Sequence, residues 1–438
     1  MTSPLELFPE TARVTDANTI AIGGCDLVAL AEKFATPLYV YDRQTIVSRA
    51  VAYREALRAA YPGRATVCYA AKAYVAPWLL KLLEPEELGL DVVSGGELHV
   101  AVNAGFPRER IYFHGNNKSE DELVYALEQR VGRIVIDNLD EVALLGRLSA
   151  ARGVKPAVLL RLGPGVDAHT HAHLLTGAAD TKFGLDIASG AAEAGVRAIL
   201  GHRALDLRGF HAHIGSQITE LEPYRLEIDR LFAFAAAMRQ ATGFTAREMS
   251  PGGGYAVRYT PGDPAVDGPT MAREVARSAA AAAKAHGFDA PELTIEPGRS
   301  IVAPAGVALY RVGSVKRGAR TYVAVDGGMA DNIRPTAYGA TYHAVLADRV
   351  KDRDVTDVAI AGKYCETGDI LIQRVSLPLP RVGDLVAIPV SGAYQLAMAS
   401  SYNLAPRPAV VVVADGSATL VRRRETYDDL TAIDVTNT

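Results

Sequence analysis

GLDVVSGGELHVAVNAGFPRERIYFHGNNKSEDELVYALEQRVGRIVIDNLDEVALLGRLSAA, residues 89–151, holds the pattern that decides the fold. Three short apolar runs, Gly89–Val93, Ile111–Phe113 and Arg133–Ile136, are followed by stretches such as Ser119–Gln129 and Leu139–Ala151 whose apolar residues recur every three or four positions. Each run ends in polar residues or glycine: Asp91 with Ser94-Gly95-Gly96, then His114-Gly115-Asn116, then Asp137-Asn138. The same alternation extends outward. Runs at Pro37–Tyr41, Ala65–Ala70, Ala157–Leu162, Leu207–His213, Glu248–Ser250 and Leu293–Ile295 alternate with helical stretches at Thr45–Ala60, Pro223–Ala241 and Met271–His286. Their ends carry Lys72, Arg161, His213 to Ser216, Gly252-Gly253-Gly254 and Glu296 to Arg299. A doubly wound sheet would concentrate such residues at one or two crossovers, whereas a (β/α)8 barrel collects all of them at the rim formed by the strand C-termini. The barrel is the expectation.

Beyond Arg299 the helical spacing fades, and Tyr322–Val325, Val355–Ala361, Leu385–Pro389 and Ala409–Val413 read as strands separated by tight turns. The expected organisation is an α/β barrel over residues 37–300 and a mainly β C-terminal domain over 301–438, with residues 1–36 packing against the β domain.

The composition agrees with a large folded enzyme-like chain. Of 438 residues, 49% are apolar and 22% charged, which excludes long disorder, a collagen repeat and a small disulfide scaffold. Lys plus Arg is 46 against 50 for Asp plus Glu, a net charge of −4, so neither nucleic acid nor an anionic membrane is an expected partner. Cys25, Cys68 and Cys365 lie far apart, which points to a reducing cytoplasm and away from disulfides or a zinc site. No metal is expected: the tract Asp167–His173, DAHTHAH, reads as an ordered loop between glycines. The N-terminus has no signal-peptide pattern, and apolar runs such as Ala409–Ala414 fall far short of the ~18 residues that span a bilayer.

Four features at the strand ends carry chemistry. Lys72 in VCYAAKAY closes an apolar strand, and Glu296 in TIEPGRS does the same; alone, the first reads as a snorkelling lysine and the second as a capping acid. The turn SPGGGY, Ser250–Tyr255, frees backbone N–H groups for an anion without matching a P-loop or dinucleotide fingerprint. HAHIGSQ, His211–Gln217, puts two histidines on one strand face before a Gly-Ser turn; alone, it reads as a packed core pair. Taken together, an amine, an acid, a phosphate-sized turn and a flat ring are what pyridoxal 5′-phosphate (PLP) requires.

With these residues in view, the chain resembles the fold-type III PLP decarboxylases and, among them, the diaminopimelate decarboxylases. The resemblance runs from about Pro37 to Pro408 through YAAKAY, DVVSGGEL, HGNNKS, IDNLDE, TGAADTKFG, HAHIGSQ, PGGGYAVRY, EPGRSIV, IRPTAY, GKYCETGD and GAYQLAMASSYN, all in order. It implies a PLP-binding barrel with a β domain and makes Lys72 the Schiff-base lysine and Glu296 the partner of the pyridine nitrogen. His213 would stack on the ring, and Ser216, Gly253, Gly254, Gly298, Arg299 and Tyr394 would surround the phosphate. Asp91 and Arg161 would support the cofactor from behind.

The resemblance also implies a reaction: decarboxylation of meso-2,6-diaminopimelate to L-lysine and CO2, the last step of lysine biosynthesis. A substrate with two amino-acid ends needs cations for its distal carboxylate, and Arg334, Tyr338 and Arg299 suit that role, with Tyr394 nearby and Glu366 for the distal ammonium. Cys365 would protonate the α-carbon. In this family the Cys-Glu segment comes from a partner subunit, so a homodimer with shared sites is implied. Other amino acids or polyamine precursors (arginine, D-ornithine, carboxynorspermidine) are the alternative substrates, and a non-catalytic binding protein is the alternative class. The chain departs from the family pattern at Tyr74, Thr367 and Ser401, where many relatives carry Asn, Ser and Asn; none of the three is an expected catalytic group.

Overall fold

The computed structural model describes residues 4–166 and 182–435, so the DAHTHAH tract and most of TGAADTKFG lie outside the described residues. The chain forms two compact units: Arg49–Ala256 with Val266–Ser300, and Met1–Ser48 with Val257–Ala265 and Ile301–Thr438.

The first unit is built on eight parallel strands: β1 Ala65–Ala70, β2 Gly89–Val92, β3 Ile111–Phe113, β4 Arg133–Ile136, β5 Ala157–Gly163, β6 Asp206–His211, β7 Glu248–Ser250 and β8 Glu292–Ile295. Each pairs with the next, β8 pairs with β1, and β4 pairs with β5, which closes the barrel. Helices follow each of the first seven strands, and their starts are encoded in the polar strand ends. Ser94 accepts a hydrogen bond from the Glu97 amide, Ser119 forms a capping box with Glu122, and Asn138 accepts from Glu141. The residues that cap the helices therefore share the rim with the candidate site residues. Inside the barrel Cys68, Tyr112, Val135 and Leu159, from β1, β3, β4 and β5, form one buried cluster. Arg133 and Glu248, at the first residues of β4 and β7, pair bidentately at 2.7 Å near the opposite end of the strands from that rim.

The second unit is a mixed sheet ordered Ile370–Pro378, Val355–Ala361, Tyr322–Val325, Gly306–Lys316, Leu38–Asp42, Ala409–Ala414, Ser417–Arg422, with Leu385–Ile388 also pairing to Gly306–Lys316. The position of Leu38–Asp42 corrects the sequence expectation. The run at Pro37–Tyr41 precedes a helix and looks like a βα unit, but it pairs antiparallel with Gly306–Lys316 and parallel with Ala409–Ala414, so it belongs to this sheet and not to the barrel. Val257–Ala265 likewise groups with this unit, although it falls inside the expected 37–300 barrel. Residues of the N-terminal segment, including Phe8, Ile20, Ile22, Leu27 and Leu30, share one apolar core with Val307, Leu309, Leu385, Ala387 and Val411. No helix among the described residues is long and apolar enough to cross a membrane.

Candidate active site

At the barrel rim, Lys72 sits in the turn Ala71–Ala73 directly after β1, between buried alanines. Its side chain reaches the surface, yet the surrounding protein strips enough hydration to lower its pKa; Glu296 and Asp91 pull the other way and Arg161 adds to the lowering. An amine held in this balance is more readily available as a nucleophile than a free lysine.

Glu296, one residue beyond β8, accepts from two side chains and has a third close by. His211 Nε2 lies 3.1 Å from its carboxylate, Ser250 Oγ donates at 2.8 Å, and His114 Nε2 stands 3.9 Å away. Burial alone would raise this acid's pKa, but the two imidazoles and the hydrogen bonds from His211 and Ser250 outweigh it and hold the carboxyl below its usual range. His114 and His211 are themselves driven down to about 4 by burial, so both are neutral at pH 7. His114 also lies 3.5 Å from Asp91, whose carboxyl is pushed well up by burial and by the neighbouring Glu296. His114, His211 and Glu296 are also the one set among the described residues with the geometry to take a metal ion, their donor atoms lying within 4.8 Å of one another.

The glycine turn follows β7. The Gly253 amide points to His213 Nδ1 at 3.3 Å, and the Tyr224 hydroxyl donates to the Gly253 carbonyl at 2.9 Å. A Cβ on Gly253 would stand 2.1 Å from the Glu296 carbonyl oxygen, and Gly254 has φ of +103°, so neither position accepts a side chain without movement. Gly298 packs as closely, since a Cβ there would come within 2.9 Å of Ala70. Arg299 donates to Ser216 Oγ at 2.9 Å. His213 is half-buried, and burial with the nearby Lys72 and Arg161 charges keeps it neutral.

Arg161, at the fifth position of β5, lies 3.8 Å from Asp137 and 4.5 Å over the Phe183 ring. Behind Asp137 is an interaction with no counterpart among the expected site residues: Lys118 is buried, pairs with Glu141 at 2.8 Å and donates to the Gly115 and Val135 carbonyls at 2.7 and 2.8 Å. Thus Lys72, Asp91, Arg161, His213, Ser216, Gly253, Gly254, Glu296, Gly298 and Arg299 all lie within the last three residues of a barrel strand or the five that follow it.

The other five expected residues belong to the second unit. Arg334 is buried, donates to the hydroxyls of Tyr259 and Tyr342 at 2.9 and 3.2 Å, and has its guanidinium 5.8 Å from the Tyr394 ring centre. It joins no ion pair among the described residues. Tyr338, at the other end of the short helix Arg334–Tyr338, is 65% exposed, so Tyr259 and Tyr342, which sequence reading passed over, hold the arginine in its place. Cys365 and Glu366 are exposed; the Cys365 amide donates to Asn403 Oδ1 at 3.2 Å.

The residues missed on sequence, His114, His211 and Ser250, were each visible as strand-end polar residues. What could not be seen was that they converge on one carboxylate from three different strands. The barrel residues fit PLP: an amine with reduced pKa, an ionised acid, a glycine turn whose backbone packs too closely for side chains, and buried polar atoms of Asp91, His114 and His211 that have no hydrogen-bond partner.

Comparison with known proteins agrees with this geometry. The model of the pyridoxal-dependent decarboxylase family, pyridoxal binding domain, matches residues 43–303. Diaminopimelate decarboxylase of Bacillus subtilis (strain 168) is 46% identical over 427 residues, covering 97% of each chain. That of Mycobacterium tuberculosis (strain ATCC 25618 / H37Rv) is 40% identical, covering 98% of each. Among solved structures, diaminopimelate decarboxylase from M. jannaschii in complex with L-lysine superposes with a TM-score of 0.92 at 32% identity and covers 98% of both chains.

Proposed function

The chain belongs to the diaminopimelate decarboxylases, within the pyridoxal-dependent decarboxylase family, and from that premise we propose how its residues divide the work. It is a PLP-dependent carboxy-lyase that converts meso-2,6-diaminopimelate to L-lysine and CO2, the last step of lysine biosynthesis. The observation that carries the site assignment is the placement of Lys72 and Glu296 at the ends of the paired strands β1 and β8, beside the glycine turn after β7.

When bound, PLP supplies an electron-accepting pyridinium ring that takes up the electron pair left as the carboxylate departs. Lys72 would hold the cofactor through its amine. Glu296 would favour a protonated ring nitrogen, and His213 would support the ring. The amides of the glycine turn, with Gly298, Ser216, Arg299 and Tyr394, receive the phosphate. Asp91 and Arg161 brace these groups from behind.

Arg334 binds the distal carboxylate. Its support is a guanidinium buried among tyrosine hydroxyls with no acid partner among the described residues, a setting that a carboxylate would complete. Arg299, Tyr338 and Tyr394 line the same substrate, Glu366 accepts from the distal ammonium, and Cys365 hands a proton to the α-carbon. Cys365 and Glu366 are exposed on their own unit. We assign them to a partner's site, in a homodimer where each subunit completes the other. The enzyme acts in the cytoplasm, consistent with three cysteines that form no disulfide.

Purified with PLP, the protein should form lysine from meso-diaminopimelate and leave arginine, D-ornithine and carboxynorspermidine unreacted. Arg334→Met should raise KM for diaminopimelate at least ~10-fold with kcat less affected, the signature of lost ground-state binding. Absence of lysine, or an Arg334→Met enzyme with unchanged KM, overturns the assignment.

A further inference from the structure

Among the described residues no lysine or arginine lies within ion-pair distance of Glu296, and Lys72 and Arg161 act on its largely buried carboxylate only from farther away. A carboxylate moved out of water without a cation would ordinarily take up a proton. A protonated Glu296 could no longer favour a pyridinium opposite it. The structure supplies donors in place of a cation. His211 Nε2 is 3.1 Å from the carboxylate and Ser250 Oγ donates at 2.8 Å. His114 meets His211 edge to face, ring centres 4.9 Å apart, and directs Nε2 between Glu296 at 3.9 Å and Asp91 at 3.5 Å. The three come from separate strands: Ser250 ends β7, His211 ends β6, and His114 follows β3. They therefore form a collar around one acid, two of its members donating hydrogen bonds.

We propose that His211 and Ser250 are positioning residues which, as neutral hydrogen-bond donors, keep Glu296 ionised and aimed at the pyridine nitrogen, with His114 packed edge to face against His211 and holding its ring in place. This inference rests on the reading of Glu296 given above. Neutral donors suit the task better than an arginine would. A full positive charge beside Glu296 would also repel the proton that the ring nitrogen must keep, whereas N–H and O–H dipoles stabilise the carboxylate without adding charge. His211 Nδ1 is buried and has no hydrogen-bond partner, as expected for a neutral imidazole whose proton sits on Nε2 facing the acid. Asp91 lies on the far side of His114, 3.5 Å from its Nε2, where burial and the nearby Glu296 both push its carboxyl pKa upward. Arg161, Lys72 and Lys118 are charged groups that also act on the imidazoles, and the buried acid Glu227 acts on Glu296.

The test loads the enzyme with PLP labelled with 15N at the ring nitrogen and reads that nitrogen's NMR shift, which reports its protonation independently of turnover. In the wild type the signal should lie in the protonated range. His211→Leu, which removes the donor at similar bulk, should move it toward the unprotonated range and lower kcat at least ~10-fold with little change in KM. His211→Gln, which can return an N–H, should restore most of both. Ser250→Ala should give a smaller shift in the same direction, and this variant carries the test if His211→Leu does not fold or hold cofactor. Should Glu296→Gln leave the nitrogen signal where it is, the reading of Glu296 itself fails. If Glu296→Gln moves the signal but the His211 and Ser250 variants do not, Glu296 needs no collar and this inference alone is overturned.

Discussion

The two collar histidines tie the folding stability of the barrel to pH. Burial lowers both pKa values to about 4, whereas in the unfolded chain they titrate at about 6.5. Their folded pKa is depressed, so their contribution is intact above pH 6.5 and is lost as pH falls toward 4. The unfolded chain takes up two protons there that the folded protein refuses. At pH 5 the loss is about 2 kcal/mol per histidine. Urea unfolding of the holoenzyme at pH 7 and pH 5 should show the wild type losing more stability than a His114→Gln/His211→Gln double variant; equal losses would mean the histidines are charged in the folded state. Sequence legibility at this scale follows exposure to context. Lys72 and Glu296 stand out because a charged side chain at the end of an apolar run has a hydration cost that invites explanation. His211 is just as informative in the structure, but an imidazole in a strand has an ordinary core reading, and only the approach of β8 turns it into a donor to Glu296. Tyr259 and Tyr342 were unreadable for the same reason: they meet Arg334 from 75 residues upstream and 8 downstream, with no spacing to link them.

At the level of elements, the barrel strands from β1 to β8 were legible because each is short, apolar and closed by a cap or glycine, and because each is followed by helical spacing. The strand Leu38–Asp42 defeated the same logic. Its local pattern, a short run rich in apolar and aromatic residues before an 18-residue helix, is that of a βα unit, and nothing local states which sheet it joins. The division of labour between strand ends also yields a test. The C-terminal rim carries the candidate chemistry, while the pair Arg133–Glu248 ties β4 to β7 at the N-terminal end, with the Glu248 carboxylate nearly buried and the arginine about one-fifth exposed. Breaking a bidentate pair of this burial by removing one partner strands the other charge and costs about 3 kcal/mol, the lower part of the range for buried pairs because of the arginine's exposure. Glu248→Gln should therefore lower the denaturation midpoint while kcat and KM stay within about twofold of wild type. A large fall in kcat without loss of stability would show that the two barrel ends are not separate in function.

At the scale of the whole molecule, the candidate residues fall into two sets on two units. Ten lie at the barrel rim, and Arg334, Tyr338, Cys365, Glu366 and Tyr394 lie on the β unit. The proposed mechanism needs both sets at one substrate, with Lys72 and Glu296 assigned to the α-carbon's electrons and Cys365 to its proton. Either one chain supplies both sets or two chains exchange them. A two-fold dimer in which each subunit completes the other's site makes the second case quantitative. Lys72→Ala and Cys365→Ala homodimers are each inactive, since every site lacks one of the two groups. Random exchange makes about half of all dimers mixed, and in each mixed dimer one site carries both substitutions while the other carries neither. About a quarter of wild-type activity per site should then return on mixing. If each chain supplied its own complete site, mixing would restore nothing, because every site would keep its defect whatever its neighbour. Native mass spectrometry of the same mixture, using chains of distinguishable mass, shows whether exchange has occurred, so that zero recovery with mixed dimers present rejects shared sites outright.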